Sequence, residues 1–117
     1  MPAVASINDG ELSLAIEGEL SIYTVAELKA RLERALGDCR ALQIDLAAVT
    51  EMDAAGVQLL FAVTQEARRR ATPLRLKGCS EAVRAVFGLC GMTEHFCEYA
   101  PDLVPQTAHE MGRRLTA

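Results

Sequence analysis

The period of apolar positions changes along the chain, and those changes mark its elements. Leu42, Ile44 and Leu46 alternate with Gln43, Asp45 and Ala47, a period of two that predicts a strand. A short connection runs from Ala48 to Asp53. From Ala54 the period becomes helical. Val57, Leu60, Phe61 and Thr64 share one face, widened by Leu59 and Val63. Asp53 stands where the N-cap of that helix belongs. Its carboxylate can accept first-turn N–H groups, and its charge suits the positive end of the helix dipole. Ala54, Ala55 and Gly56 are small and leave the backbone at this helix start open to close approach by another surface. The helix ends at Arg68, Arg69 and Arg70. Cations there complement the negative dipole end; an acidic partner surface is their other use.

The flanking chain follows the same logic. Val4–Ile7 and Glu11–Glu17 read as two strands of a hairpin around the turn Asn8-Asp9-Gly10. Gly18-Glu19-Leu20 leads out of the second strand. Thr24 and Glu27 have the spacing of a capping box. Val25, Leu28, Leu32 and Leu36 lie on one face of the helix that follows, and Gly37 is placed to end it. Beyond the central helix, Thr72-Pro73 is a breaker and Leu74 and Leu76 start another strand. Strand, helix and strand in this order predict a βαβ unit with parallel strands. Ser80 caps a helix carrying Val83, Val86, Phe87 and Cys90; Gly88 weakens its middle and Gly91 ends it. Glu94–Tyr99 reads as a last edge strand. Pro101-Asp102 opens a final helix with Val104, Ala108, Met111 and Leu115 on one face, and Pro105 in its first turn. The expected fold is α/β: a mixed four- to five-stranded sheet with about four helices packed mainly on one side. No repeat or linker interrupts it, so residues 1–117 are expected to form a single domain.

Composition narrows the function. With 117 residues, 50% hydrophobic and 24% charged, the chain suits one core, built from aliphatic residues because Trp is absent. A net charge of −4 gives no basic surface for nucleic acid. No run approaches the ~20 apolar residues of a membrane span, and the N-terminus has no basic region ahead of an apolar block. The expected location is cytoplasmic, without membrane insertion. Cys39, Cys79, Cys90 and Cys97 form no CxxC pair and stand beside no His pair. They read as free thiols, Cys90 on a buried helix face and the others in loops or a strand. No metal and no cofactor is expected. His95 and His109 are isolated, and no glycine-rich loop with a lysine offers a nucleotide site. Asp45 and Asp53 can converge near the strand end, but N-capping accounts for Asp53. No catalytic residue is assigned, and an enzyme is not expected.

The stretch IDLAAVTEMDAAGVQLL resembles the signature of the STAS domain family of anti-sigma factor antagonists, roughly D-L-x-x-V-x-x-x-D-[ST]-[SA]-G-[LV]-x-x-L. Asp45, Leu46, Val49, Asp53, Gly56, Val57 and Leu60 match it. An early GEL, a late helix opening SEAVRAVF and the ending Gly91-Met92 with Phe96 extend the resemblance over nearly all of the chain. The resemblance implies the STAS fold and a non-catalytic protein-interaction module. In the family, a Ser or Thr directly after the Asp is the usual phosphoacceptor. Here Ala54 holds that position and Ala55 follows, so the resemblance implies a site that cannot be phosphorylated. The implied partner is the kinase or anti-sigma factor of a bacterial partner-switching system, or a chemotaxis-type regulator. The alternative is a cytoplasmic STAS accessory subunit docking on the ATPase of an ABC-type phospholipid transporter. A nucleotide-sensing domain is a weaker third reading. Asp53, Ala54, Ala55, Gly56 and Gln58 are expected to form the centre of the partner surface. Tyr23 stands beside them, a residue type enriched in interface hot spots.

Overall fold

In the computed structural model, which describes residues 3–101 and 103, the chain opens with the expected hairpin. Strands β1 (Ala3–Asn8) and β2 (Glu11–Ile16) pair antiparallel from Asn8↔Glu11 to Ala3↔Ile16. Asp9 and Gly10 both have positive φ, 55° and 82°, as a two-residue hairpin turn demands. Strand β3 (Gly18–Leu20) and helix α1 (Val25–Asp38) follow, then strands β4 (Ala41–Asp45) and β5 (Val49–Met52). Helix α2 (Ala54–Arg69), strand β6 (Leu74–Lys77), helix α3 (Glu81–Leu89) and helix α4 (Thr93–Cys97) complete the described chain.

The main sheet has four strands in the order β1-β2-β4-β6. β4 pairs parallel with both β2 and β6, so α2 lies in the crossover of a βαβ unit, as the sequence predicts. One register row aligns Leu14, Ile44 and Leu76, all buried. The next aligns Ser13, Gln43 and Arg75, where the Gln43 amide donates to the Ser13 hydroxyl at 3.4 Å. The sheet is therefore one-sided. Leu28, Leu32 and Leu36 of α1, Val57, Leu60 and Val63 of α2, and Val83 and Phe87 of α3 join a single core on its apolar face.

Several expectations need correction. The stretch Ala48 to Asp53 is not merely a connection. Its residues 49–52 form β5, which pairs parallel with β3 as a separate two-stranded sheet. Both strands are too short to show a period. The capping box at Thr24 does not form, because a helical turn has already begun. Val25 N–H donates to the Ser21 carbonyl at 2.9 Å, and the Thr24 hydroxyl accepts from Ser21 N–H at 3.0 Å. Gly37 does not end α1, which runs one residue further before Cys39 turns extended. That helix end is tied to the hairpin turn: Arg40 N–H donates to the Gly10 carbonyl at 2.8 Å, and its guanidinium to the Asp9 carbonyl. The expected edge strand at Glu94–Tyr99 is instead α4, where Phe96 stacks on Phe87 with ring centroids 4.3 Å apart. Cys90 is exposed at the end of α3 and Cys97 lies on α4; Cys79 is the buried thiol. The final helix expected from Pro101-Asp102 lies outside the described residues apart from Pro101 and Leu103, and so does His109.

The arginines that end α2 are engaged within the chain. Arg69 and Arg70 both reach Glu66, and Arg68 reaches Glu98 at 3.1 Å. Hydrogen bonds from Arg69 and then Arg70 hold the Glu66 carboxyl down at about 2.

The α3 terminus bears out Gly91 as the helix end, whereas Gly88 lies in the last turn and not in the middle. Met92 N–H donates to the Phe87 carbonyl at 2.8 Å and Gly91 N–H to the Gly88 carbonyl at 3.2 Å, a Schellman closure with Gly91 at φ 66°. Gly88 sits inside the helix, and a Cβ there would meet nothing within 4 Å. The two glycines should therefore respond in opposite directions. Gly88→Ala should stabilise by about 0.5–1 kcal/mol. Gly91→Ala should destabilise by about 1–2 kcal/mol, through the left-handed backbone it cannot adopt freely. Urea unfolding of the two variants checks both signs.

Candidate docking surface at the start of helix α2

Asp53 joins two segments that are distant in sequence. Its Oδ1 accepts from Ala55 N–H at 2.9 Å and Gly56 N–H at 3.2 Å, the expected N-cap of α2. Its Oδ2 accepts from Ile22 N–H at 3.1 Å, in the loop between β3 and α1. One carboxylate thus takes three backbone donors, two from the first turn of α2 and one from the loop before α1. Asp53 N–H itself donates to the Leu20 carbonyl at 3.3 Å.

The loop it reaches is ordered from within. The Ser21 hydroxyl donates to the Glu19 carboxylate and accepts from Tyr23 N–H at 3.2 Å. The Thr24 hydroxyl lies 3.0 Å from the Glu19 carbonyl and 3.2 Å from that of Ser21. Ser21 is buried by this network, while Ile22 and Tyr23 are pushed outward, 67% and 87% exposed. Leu89 at the end of α3 is as open as Tyr23; what sets Ile22 and Tyr23 apart is that they are adjacent and held in place by hydrogen bonds from their own backbone N–H groups.

Gly56 has a different role from the one its size suggests. It is buried, and a Cβ there would sit 2.6 Å from the Leu20 carbonyl oxygen. The surface that approaches the helix start closely at this residue is the end of β3 in the same chain. Ala54 and Gln58 are exposed, and Asp53 and Ala55 are half-buried. The structure therefore brings Asp53, Ala54, Ala55 and Gln58 onto one helix start and attaches the loop of Ile22 and Tyr23 to it. Gly56 lies beneath them. Ile22 is the residue that sequence reasoning missed. Its signal is an apolar side chain with no place in either flanking period.

Other candidate chemistry is accounted for locally. The Asp45 carboxylate accepts from Ala47 N–H at 2.9 Å. The Thr64 hydroxyl donates to the Phe61 carbonyl at 2.7 Å and so accepts from His95 Nε2, 3.1 Å away. His95 ties α4 to α2 and stacks obliquely on Phe61, centroids 4.8 Å apart. Burial pushes the Cys39 thiol up against a lowering hydrogen bond at Ala41, and the Asp38 charge adds to the rise. No cluster of three or more potential metal ligands occurs among the described residues, and none of their helices is long and apolar enough to cross a membrane.

A one-sided mixed sheet, a small parallel pair beside it and a carboxylate-capped helix start define a small α/β domain. The chain belongs to the STAS domain family: the profile described as "Mlab, STAS domain" matches residues 4–105. No curated protein matches it. Among solved structures it is similar to an anti-sigma factor antagonist from Mycobacterium paratuberculosis, with 24% identity, 80% of each chain covered and a TM-score of 0.71. It is also similar to the Bacillus cell fate determinant SpoIIAA in its phosphorylated form, with 20% identity over 93% of this chain and 97% of that one, TM-score 0.66. A sulfate transporter family protein from Wolinella succinogenes shares 21% identity over 81% and 79% of the two chains, TM-score 0.67. These likenesses show the STAS fold.

Asp53 gives a prediction with two separable parts. Asp53→Ala should cost about 0.5–2 kcal/mol of stability. Asp53→Asn keeps an acceptor for Ala55 and Gly56 and should recover most of that. Its amide group cannot accept from Ile22, so the Ile22 N–H should exchange faster with solvent than in the parent chain. Unchanged protection at Ile22 in Asp53→Asn would show that the loop is held by something else.

Proposed function

We propose that this chain is a non-catalytic STAS docking module that binds a protein partner through Asp53, Ala54, Ala55, Gln58, Ile22 and Tyr23. Gly56 serves this surface from below by letting β3 and α2 meet. The observation that carries the reading is the exposure of Ile22 and Tyr23 on a loop clamped to the α2 start by the Asp53 carboxylate. A pre-ordered apolar anchor beside a helix start with small side chains loses little freedom on binding. The likeness to anti-sigma factor antagonists supports a partner of the regulatory kinase or anti-sigma type, or a chemotaxis-type regulator.

In this reading Ala54 occupies the place of the family's phosphoacceptor. The side chain has no oxygen, and neither has Ala55. Phosphorylation would add charge to such a surface and oppose docking. Without an acceptor the module is constitutively able to bind, acts in the cytoplasm as one domain, and takes its regulation from elsewhere. The second reading is an accessory subunit that docks on the ATPase of an ABC-type phospholipid transporter; a sulfate transporter family protein shares the fold, which associates it with transport and not with any particular ATPase. Both readings use the same surface.

Affinity for a purified partner-switching kinase and for a purified transport ATPase, measured with the parent chain and Ala54→Glu, tests the proposal. The substitution suits the helix dipole and should leave the circular dichroism spectrum unchanged. It should weaken binding at least about tenfold by burying an unpaired carboxylate. Equal affinities would place the interface elsewhere. The ATPase that binds chooses between the two readings. Incubation with such a kinase and radiolabelled ATP should leave residues 50–58 unlabelled; stoichiometric label on Thr50 would overturn the loss of the switch.

A further inference from the structure

The two edges of the main sheet are treated differently. At one edge, the Leu76 N–H of β6 donates to the Tyr99 carbonyl at 2.7 Å, so that strand is partly covered by the chain that follows α4. At the other edge stands β1, six residues in unbroken register with β2 and without a bulge. Its sequence, AVASIN, contains no Lys, no Pro and no charge. Those are the devices by which edge strands usually refuse a further strand. Ala5 and Ser6 are exposed.

The hairpin fixes which backbone groups face outward. A two-residue turn with both φ positive closes on a hydrogen-bonded pair, here Asn8 and Glu11. Hydrogen-bonded pairs alternate along an antiparallel ladder, so Ser6 with Ser13 and Val4 with Ala15 also exchange bonds. The N–H and C=O groups of Ala3, Ala5 and Ile7 then point away from β2. They form a ladder of donors and acceptors at the edge.

We propose that β1 is a self-association edge, pairing antiparallel with β1 of a second copy about a two-fold axis at Ala5. In this register Ala5 faces Ala5, and Ala3 faces Ile7. All three outward residues form hydrogen-bonded pairs, giving about six inter-chain bonds. Shifting by two residues leaves only Ala5 with Ile7 and about four bonds. The small Ala5 side chain lets the strands meet at the axis without a clash. A second copy fits better than an unrelated strand because a two-fold interface must be complementary to itself. An uncharged strand meets that condition. The groove of about 390 Å³ beside it carries both signs, with Arg31, Arg34 and Asp38 of α1 around Leu12 and Leu14. The result is a continuous eight-stranded sheet, twice the four strands of one chain. β1 contributes no bond to the network around Asp53, so the dimer would carry two docking surfaces.

Sedimentation velocity of the full chain over a range of concentrations tests this. The parent chain should show a concentration-dependent dimer. Ala5→Lys and Ala5→Glu should each raise the dimer dissociation constant at least about tenfold, because like charges then face each other across the axis. An equimolar mixture of the two variants should restore the dimer, since the new ammonium of one copy would face the new carboxylate of the other only in this register. Ala5→Pro removes an outward N–H and keeps the β1–β2 ladder, so it should lose the dimer and retain the circular dichroism spectrum. A parent chain that stays monomeric throughout, a dimer indifferent to these substitutions, or a mixture that fails to reassociate overturns the proposal.

Discussion

The carboxylate of Asp53 is the junction on which the α2 end of this fold depends. Two oxygens take three backbone N–H groups, two from the first turn of α2 and one from Ile22. Backbone donors at a helix start must find acceptors, and a charged acceptor makes the stronger bond. Capping α2 and seating the loop before α1 are therefore one act. The same carboxylate fixes where Ile22 and Tyr23 stand relative to Ala54 and Gln58. Its second partner is what turns a local helix cap into the organiser of a surface.

The remaining architecture supplies a rigid base for that junction. β4 in the middle of the main sheet runs parallel to both neighbours, and α2 crosses back over it to reach β6. The core row Leu14, Ile44 and Leu76 anchors the sheet beneath the helices. Beside it, β3 and β5 form a small sheet of their own, and both lead directly into the Asp53 cluster. The loop of Ile22 and Tyr23 is thus an extension of strand structure, held at both ends. His95 adds a separate tie, through Thr64, that keeps α4 on α2 further along the helix than Gln58.

Much of this was legible in the sequence because it is written in periods and caps. The alternation of Leu42, Ile44 and Leu46 and the helical repeat after Asp53 locate the βαβ unit. Asp9-Gly10, Ser80 and Gly91 mark ends by backbone chemistry that only a few residue types perform. What stayed hidden was either short or long-range. Three residues of β3, four of β5 and five of α4 cannot establish a period. At Thr24 the local pattern matched a capping box, but the hydroxyl turned back into a turn already formed. The bond from Ile22 to Asp53 spans 31 positions, and no local pattern announces it. Of the candidate surface, Asp53 and its small neighbours were readable; Ile22 and the burial of Gly56 needed the third dimension.

The contact at Gly56 sets what evolution or an engineer can write at two positions. The obstacle to a larger residue there is a carbonyl oxygen of Leu20, at 2.6 Å from where a Cβ would stand. Main-chain atoms are common to every amino acid. No replacement at position 20 would clear the space, since each brings the same oxygen. Position 20 can vary as far as the core around it allows, whereas position 56 has an alphabet of one letter. A sequence that keeps this strand end against this helix start must therefore keep that glycine, whatever partner it has come to bind.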